Sequence, residues 1–158
     1  MRKINNPYNK LDGHLCFACS DKNPLGLKME FYEDGEYLIS KWKAEKHYQG
    51  FHNILHGGIQ ATLMDEVGAL FVQIKIKTSG VTSSMNTRYI QPVPSEGEIL
   101  LKANLKSKRR NIVEVHVELF TEGGSLCSTS DITYYTFPQD LAKRKLYYPE
   151  YSEFFIKD

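Results

Sequence analysis

A single carboxylate set among small residues is the first candidate for chemistry in this chain. Asp65 lies in the run HGGIQATLMDEVGAL, eight positions after Gly57, within a segment from His56 to Ile76 that reads as one long helix. Ile59, Leu63, Val67, Leu70 and Ile74 fall on one apolar stripe of that helix, the pattern of packing on a sheet. The other face carries Gly58, Ala61, Asp65, Gly68, Ala69 and Val72, so the helix is expected to be covered on both sides, by something that comes close. A charge buried there is costly unless it is paired or hydrated, which asks for a function.

The start of the same helix supplies a complement. The backbone N–H groups of Gly57 and Gly58 lack intrahelical acceptors at the positive end of the dipole, and glycine lets a ligand approach the backbone. Donors for a developing oxyanion and a carboxylate acting as base or nucleophile are the two parts that acyl transfer needs. Gly57 and Asp65 are roughly 12 Å apart along a helix, too far to touch one carbonyl. Two copies packed antiparallel across a two-fold axis would bring Asp65 of one to Gly57 of the other, so the expectation is a homodimer with two shared sites. Glu66 is the competing carboxylate, but it falls about 20° from Ile59 and borders the core stripe, whereas Asp65, at about 240°, is central on the small face. The competing reading of Asp65 is structural, a buried acid bonded to strand backbone.

The HGG run followed by Asp65 resembles the hot-dog-fold thioesterases of the PaaI type. CFACSDKNPLGLKMEF from Cys16, QGFHNILHGG before the helix and TRYIQPVP from Thr87 extend the resemblance over about residues 14 to 138. It implies an α+β hot-dog fold, a strongly curved antiparallel sheet wrapped around one central helix. It also implies hydrolysis of acyl-CoA or another pantetheine thioester, with coenzyme A part of the substrate and no separate cofactor. The thioester carbonyl would accept from the Gly57 N–H, with Gly58 beside it and His56 supporting that end, while Asp65 of the partner subunit serves as general base or nucleophile. Relatives often place a water-orienting amide in the preceding loop; here Gly50 stands at that place, leaving Gln49 or Asn53 to substitute. Thr82 best matches a residue that holds the nucleophilic water, with Ser83 next to it. The alternatives are a non-catalytic acyl-CoA-binding dimer and a hydratase or dehydratase of acyl thioesters. A dimer of dimers is a further option for assembly.

Around this helix the chain reads as β-structure. Leu27, Met29 and Phe31 alternate with polar residues, Asp34-Gly35 signals a hairpin, and Glu36 to Ala44 returns with Trp42 inward. Alternating runs then follow over Val81 to Val93, Ile99 to Leu105, Val113 to Leu119 and Leu126 to Phe137, giving six strands. The turn Lys106 to Asn111 concentrates Lys106, Lys108, Arg109 and Arg110, which suits phosphates of coenzyme A or equally a solvated hairpin tip. Residues 1 to 13 are polar and are expected to be a mobile lead-in. The tail from 139 to 158 holds Tyr147, Tyr148, Tyr151, Phe154 and Phe155 and is expected to pack on the domain.

Composition excludes several classes. At 158 residues the chain suits one domain, and Lys plus Arg of 20 against Asp plus Glu of 19 leaves a charge of +1. No global field calls for nucleic acid, and no aromatics interleave the basic turn. The N-terminus lacks the apolar segment of a signal peptide, and no apolar run approaches the roughly 20 residues a membrane helix needs. Three cysteines, an odd number, fit a reducing, cytoplasmic setting. Cys16-x-x-Cys19 with His14 nearby is half of a zinc site, but no second pair follows and Cys127 stands alone, so no metal is expected. The pair is read instead as buried cysteines anchoring the start of the first strand.

Overall fold

In the computed structural model, which describes residues 1–155, the chain forms one seven-stranded antiparallel sheet and a central helix. The strands are β1 (Arg2–Ile4), β2 (Glu30–Asp34), β3 (Tyr37–Ala44), β4 (Gly80–Tyr89), β5 (Gly97–Arg109), β6 (Ile112–Thr121) and β7 (Leu126–Thr136). Their order is β1-β2-β3-β5-β6-β7-β4. The helix α1 (Gly57–Phe71) packs against β3 to β7, and this curved sheet around one long helix is the hot-dog fold.

Burial follows helical and strand periods. Along α1, Gln60, Leu63, Met64, Val67, Gly68 and Phe71 face inward. Val113, Val115, Val117 and Leu119 of β6 meet them at period two. The inward face is thus turned slightly from the stripe the sequence indicates, with Ile59 and Leu70 at its margins. Gln60 enters this apolar layer because both ends of its amide are satisfied: Nε2 donates to Leu55 O at 3.1 Å and Oε1 accepts from Ser128 at 3.0 Å. Beyond Phe71 the helix widens into a π-helical turn, Val72–Ile76, and stops at Lys77 in a left-handed conformation.

The ends of the chain differ from the sequence reading. Instead of a mobile lead-in, Arg2–Ile4 is a seventh strand paired to β2, followed by a 3-10 turn over Pro7–Lys10. The reason is local: Ile4 is buried, Arg2 bonds Glu33 at 2.5 Å and covers the Phe155 ring, and Lys3 bonds Glu30 at 3.0 Å. Leu27 and Met29 are buried but precede β2. The tail forms α2 (Gln139–Leu146) and a 3-10 turn over Tyr151–Phe155. Tyr148 and Phe154 are buried as expected, whereas Tyr147 is exposed in a left-handed conformation; positions 156–158 of the expected tail lie outside the described residues.

Candidate active site

Helix α1 starts at a cap that sorts the two glycine donors. The His56 side chain accepts from the Gly58 N–H through Nδ1 at 2.8 Å, which fixes the ring as an N-cap. Gly58 is therefore not a free donor for substrate. No hydrogen bond among the described residues takes the Gly57 N–H. Gly57 lines an open cleft of about 800 Å³ together with Gln49, Phe51, His56, Tyr89 and Ile90. Tyr89, which the sequence did not single out, donates to the Gly57 carbonyl at 2.8 Å and secures the helix start against the end of β4.

The loop before the helix explains its own composition. A Cβ on Gly50 would lie 3.2 Å from the His56 ring, so position 50 stays bare to let the capping histidine seat. Gln49 lines the cleft, but its Oε1 accepts from the Asn53 N–H at 2.9 Å. Asn53 is left-handed and exposed, its carbonyl accepts from Ser95, and it is absent from the cleft wall. Of the two amides, only Gln49 is placed beside Gly57.

Asp65 occupies a different place, under the start of β4. Thr82 donates to Asp65 Oδ1 at 2.9 Å, and Tyr134 donates both to the Asp65 carbonyl at 2.9 Å and to Oδ1 at 3.1 Å. Both hydroxyls converge on one carboxylate oxygen, leaving Oδ2 without a partner among the described residues. Burial, and then the Asp65 charge, push the Tyr134 phenol well above its ordinary pKa, so it remains a donor. A Cβ on Gly68 would lie 2.4 Å from the Tyr134 hydroxyl. The gap at Gly68 is thus filled by a side chain of the protein's own sheet, where the sequence analysis anticipated a neighbouring helix.

The remaining candidates separate clearly. Ser83 sits at a register break between Thr82 and Ser84; it is exposed, and its hydroxyl has no partner among the described residues. The basic turn is shorter than its sequence suggests, since β5 runs to Arg109 and only Arg110, with φ +55, and Asn111 turn. Arg109 and Arg110 are exposed, and register carries them to the sheet end of Asp65: Arg109 pairs Ile112, which pairs Tyr135, which pairs Val81. Lys106 is already engaged, at 2.8 Å from Asp131 and 3.4 Å from Glu114.

Glu66 lies next to Asp65 in sequence but belongs elsewhere. It lines a cavity of about 290 Å³ between the N-terminal arm, α1 and the tail. Cys16 donates to it at 3.7 Å, and the ligating atoms of Cys16, Cys19 and Glu66 lie within 4.8 Å of one another. Burial pushes the Glu66 carboxyl up to about 7, with the Cys16 sulfur adding to the rise. Glu66 of α1 thus joins the Cys16-x-x-Cys19 pair as a third group of metal-ligating type, a neighbour that cysteine spacing alone does not reveal.

The family profile of the thioesterase superfamily matches residues 52–128. Mouse acyl-coenzyme A thioesterase 13 is 28% identical over 85 residues, 53% of this chain and 61% of that protein. The match therefore spans less than two thirds of the mouse protein's length. Protein Ta0293 of Thermoplasma acidophilum is 30% identical over 114 residues, 72% of this chain and 85% of that one. In three dimensions, protein smu.793 of Streptococcus mutans, solved bound to acetyl CoA, superposes with a TM-score of 0.65 at 15% identity, covering 70% of this chain and 90% of that one. The chain belongs to the thioesterase superfamily. No helix among the described residues is long and apolar enough to cross a membrane.

Proposed function

We propose that this protein hydrolyses acyl-CoA thioesters as a homodimer, with the Gly57 N–H of one subunit holding the carbonyl oxygen and Asp65 of the partner subunit acting on the carbonyl carbon. The observation that carries the reading is the bonding of Asp65: two hydroxyl donors hold Oδ1 in place while Oδ2 is left open, as a carboxylate that must activate water or attack requires. Gly57, which lines a cleft and whose N–H has no acceptor among the described residues, supplies an oxyanion donor at the far end of the helix's first two turns. The separation of the two parts within one chain is what the shared site explains. β4 supports the partner surface: it is a sheet edge, and Val81, Tyr89 and Ile90 along and just past it are 45%, 53% and 56% exposed. The names of the mouse relative and of the acetyl-CoA complex support coenzyme A as the carrier.

Thiol release from short, long and aromatic acyl-CoA esters tests the activity, with Asp65→Asn beside wild type. Gly57→Pro tests the donor, because proline is favoured at the first helical position and lacks the N–H there. Each variant alone is expected to be inactive. Mixing the two is expected to restore about a quarter of wild-type turnover, since half of random dimers carry one intact shared site. Hydrolysis by wild type with no restoration in the mixture would place both parts in one subunit; binding without hydrolysis would overturn the enzymatic reading.

A further inference from the structure

The cavity around Glu66 collects groups that the hydrolase reading does not use. Cys16 and Cys19 come from a tight turn in the N-terminal arm, held by Ser20 N–H to Cys16 O at 3.1 Å and by Leu27 N–H to Phe17 O at 2.7 Å. Glu66 reaches the pair from α1, with its Oε1 3.7 Å from the Cys16 Sγ. The same cavity is lined by His14 and Gln73, whose Nε2 and Oε1 atoms are buried with no hydrogen-bond partner among the described residues. A carboxylate and two sulfurs therefore face one another, and no lysine or arginine is among the residues lining the cavity. The three groups are half-buried, and two sulfurs with one carboxylate at this separation form a donor set suited to a divalent cation.

We propose that Cys16, Cys19 and Glu66 bind a zinc ion, which clasps the N-terminal arm to α1 and leaves its fourth position toward His14. The spacing suits that ion. A tetrahedral zinc with bonds of about 2.0–2.3 Å sets its ligand atoms about 3.3–3.8 Å apart. The Cys16–Glu66 pair is already at this distance, and all three ligating atoms lie within 4.8 Å. Two sulfurs with one carboxylate select a borderline or soft ion over magnesium or calcium. The partnerless His14 Nε2 and Gln73 Oε1 are satisfied if the ion or a water on it fills the cavity.

The site is independent of acyl-CoA hydrolysis, and its test reads metal directly. Protein purified under reducing conditions is expected to carry about one zinc per chain, and Asp65→Asn to carry the same. After removal of zinc with a chelator, titration with cobalt(II) is expected to give thiolate-to-cobalt charge-transfer absorption in the near ultraviolet. The Cys16→Ser, Cys19→Ser double variant is expected to lose that absorption, and Glu66→Gln to weaken cobalt binding by about tenfold or more. The chelated wild type is expected to melt at a lower temperature and to recover on adding zinc. If stripped wild type, folded and with both thiols reduced, shows no charge transfer with cobalt, the site is not a metal site; that readout holds even if the variants fail to fold. A Cys16–Cys19 disulfide in protein purified with zinc and without reductant would equally overturn the proposal.

Discussion

Asp65 and Glu66 are consecutive carboxylates on one helix, and the two sides of that helix give them different surroundings. Asp65 faces the start of an edge strand, where two hydroxyls orient one oxygen and leave the other open. Glu66 faces a cavity lined by the N-terminal arm and the tail, where its neighbours are sulfurs and where burial raises its pKa to about 7. A rotation of about 100° between successive residues is enough to separate a carboxylate bonded by two hydroxyls from one that meets two sulfurs. The contrast teaches that position along α1 says little about role; what covers each face of the helix decides it.

The largest effect should come from breaking the Asp65 side alone. Asp65→Asn is expected to lower thiol release by about 10²–10⁴-fold, the range for losing a positioned base, with circular dichroism and zinc content unchanged. Glu66→Gln, measured in parallel, is expected to leave turnover within a few-fold of wild type; equal losses in the two variants would erase the distinction between the faces.

Smaller changes sharpen how Asp65 is held. Gly68→Ala places a Cβ against the Tyr134 hydroxyl and is expected to destabilise by about 1–3 kcal/mol in denaturant titrations. Tyr134→Phe in the same chain removes the crowding atom and should recover part of that loss, which a purely local helix defect would not permit. Thr82→Val is expected to cost roughly tenfold in kcat with little change in stability, and Thr82→Ser to restore most of it, because the hydroxyl to Oδ1 is what matters. An unaltered kcat in Thr82→Val would remove Thr82 from the site.

The smallest effect concerns the arm that covers Glu66. Burial raises the Glu33 pKa, but hydrogen bonds and charge from Lys75 and Arg2 outweigh it and hold the carboxyl below its ordinary value. Its folded-state pKa being depressed, its contribution is fully present above the unfolded value of about 4.3 and fades as pH falls through the folded value. Glu33→Gln is thus expected to cost up to about 1 kcal/mol at neutral pH, the pair being partly exposed, and to flatten the acid limb of the stability curve below pH about 4.3. Amide exchange should quicken in β1, with thiol release unchanged.

Much of the fold was legible because its signals are local. The Asp34-Gly35 hairpin, the alternation in β5 to β7 and the glycine-led helix each follow from periods and turn chemistry that act within a few residues. The His56 cap acts over a similarly short range, since its partner is two residues away. β1 was not legible: three residues are too few to show a period, and the pairing is fixed by side chains about thirty positions on.

Sequence alone determined that α1 is a helix with donors at its start and a carboxylate on its small face, and that the chain carries almost no net charge. It also determined which residues could do chemistry, because residue type is chemistry. Tertiary structure decided their company. Tyr134 reaches Asp65 across 69 positions and Glu66 meets Cys16 across 50, and neither pairing has a local signature. The physical reason is that hydrogen bonds and burial act over a few ångströms in space, whereas a sequence records neighbours only along the chain.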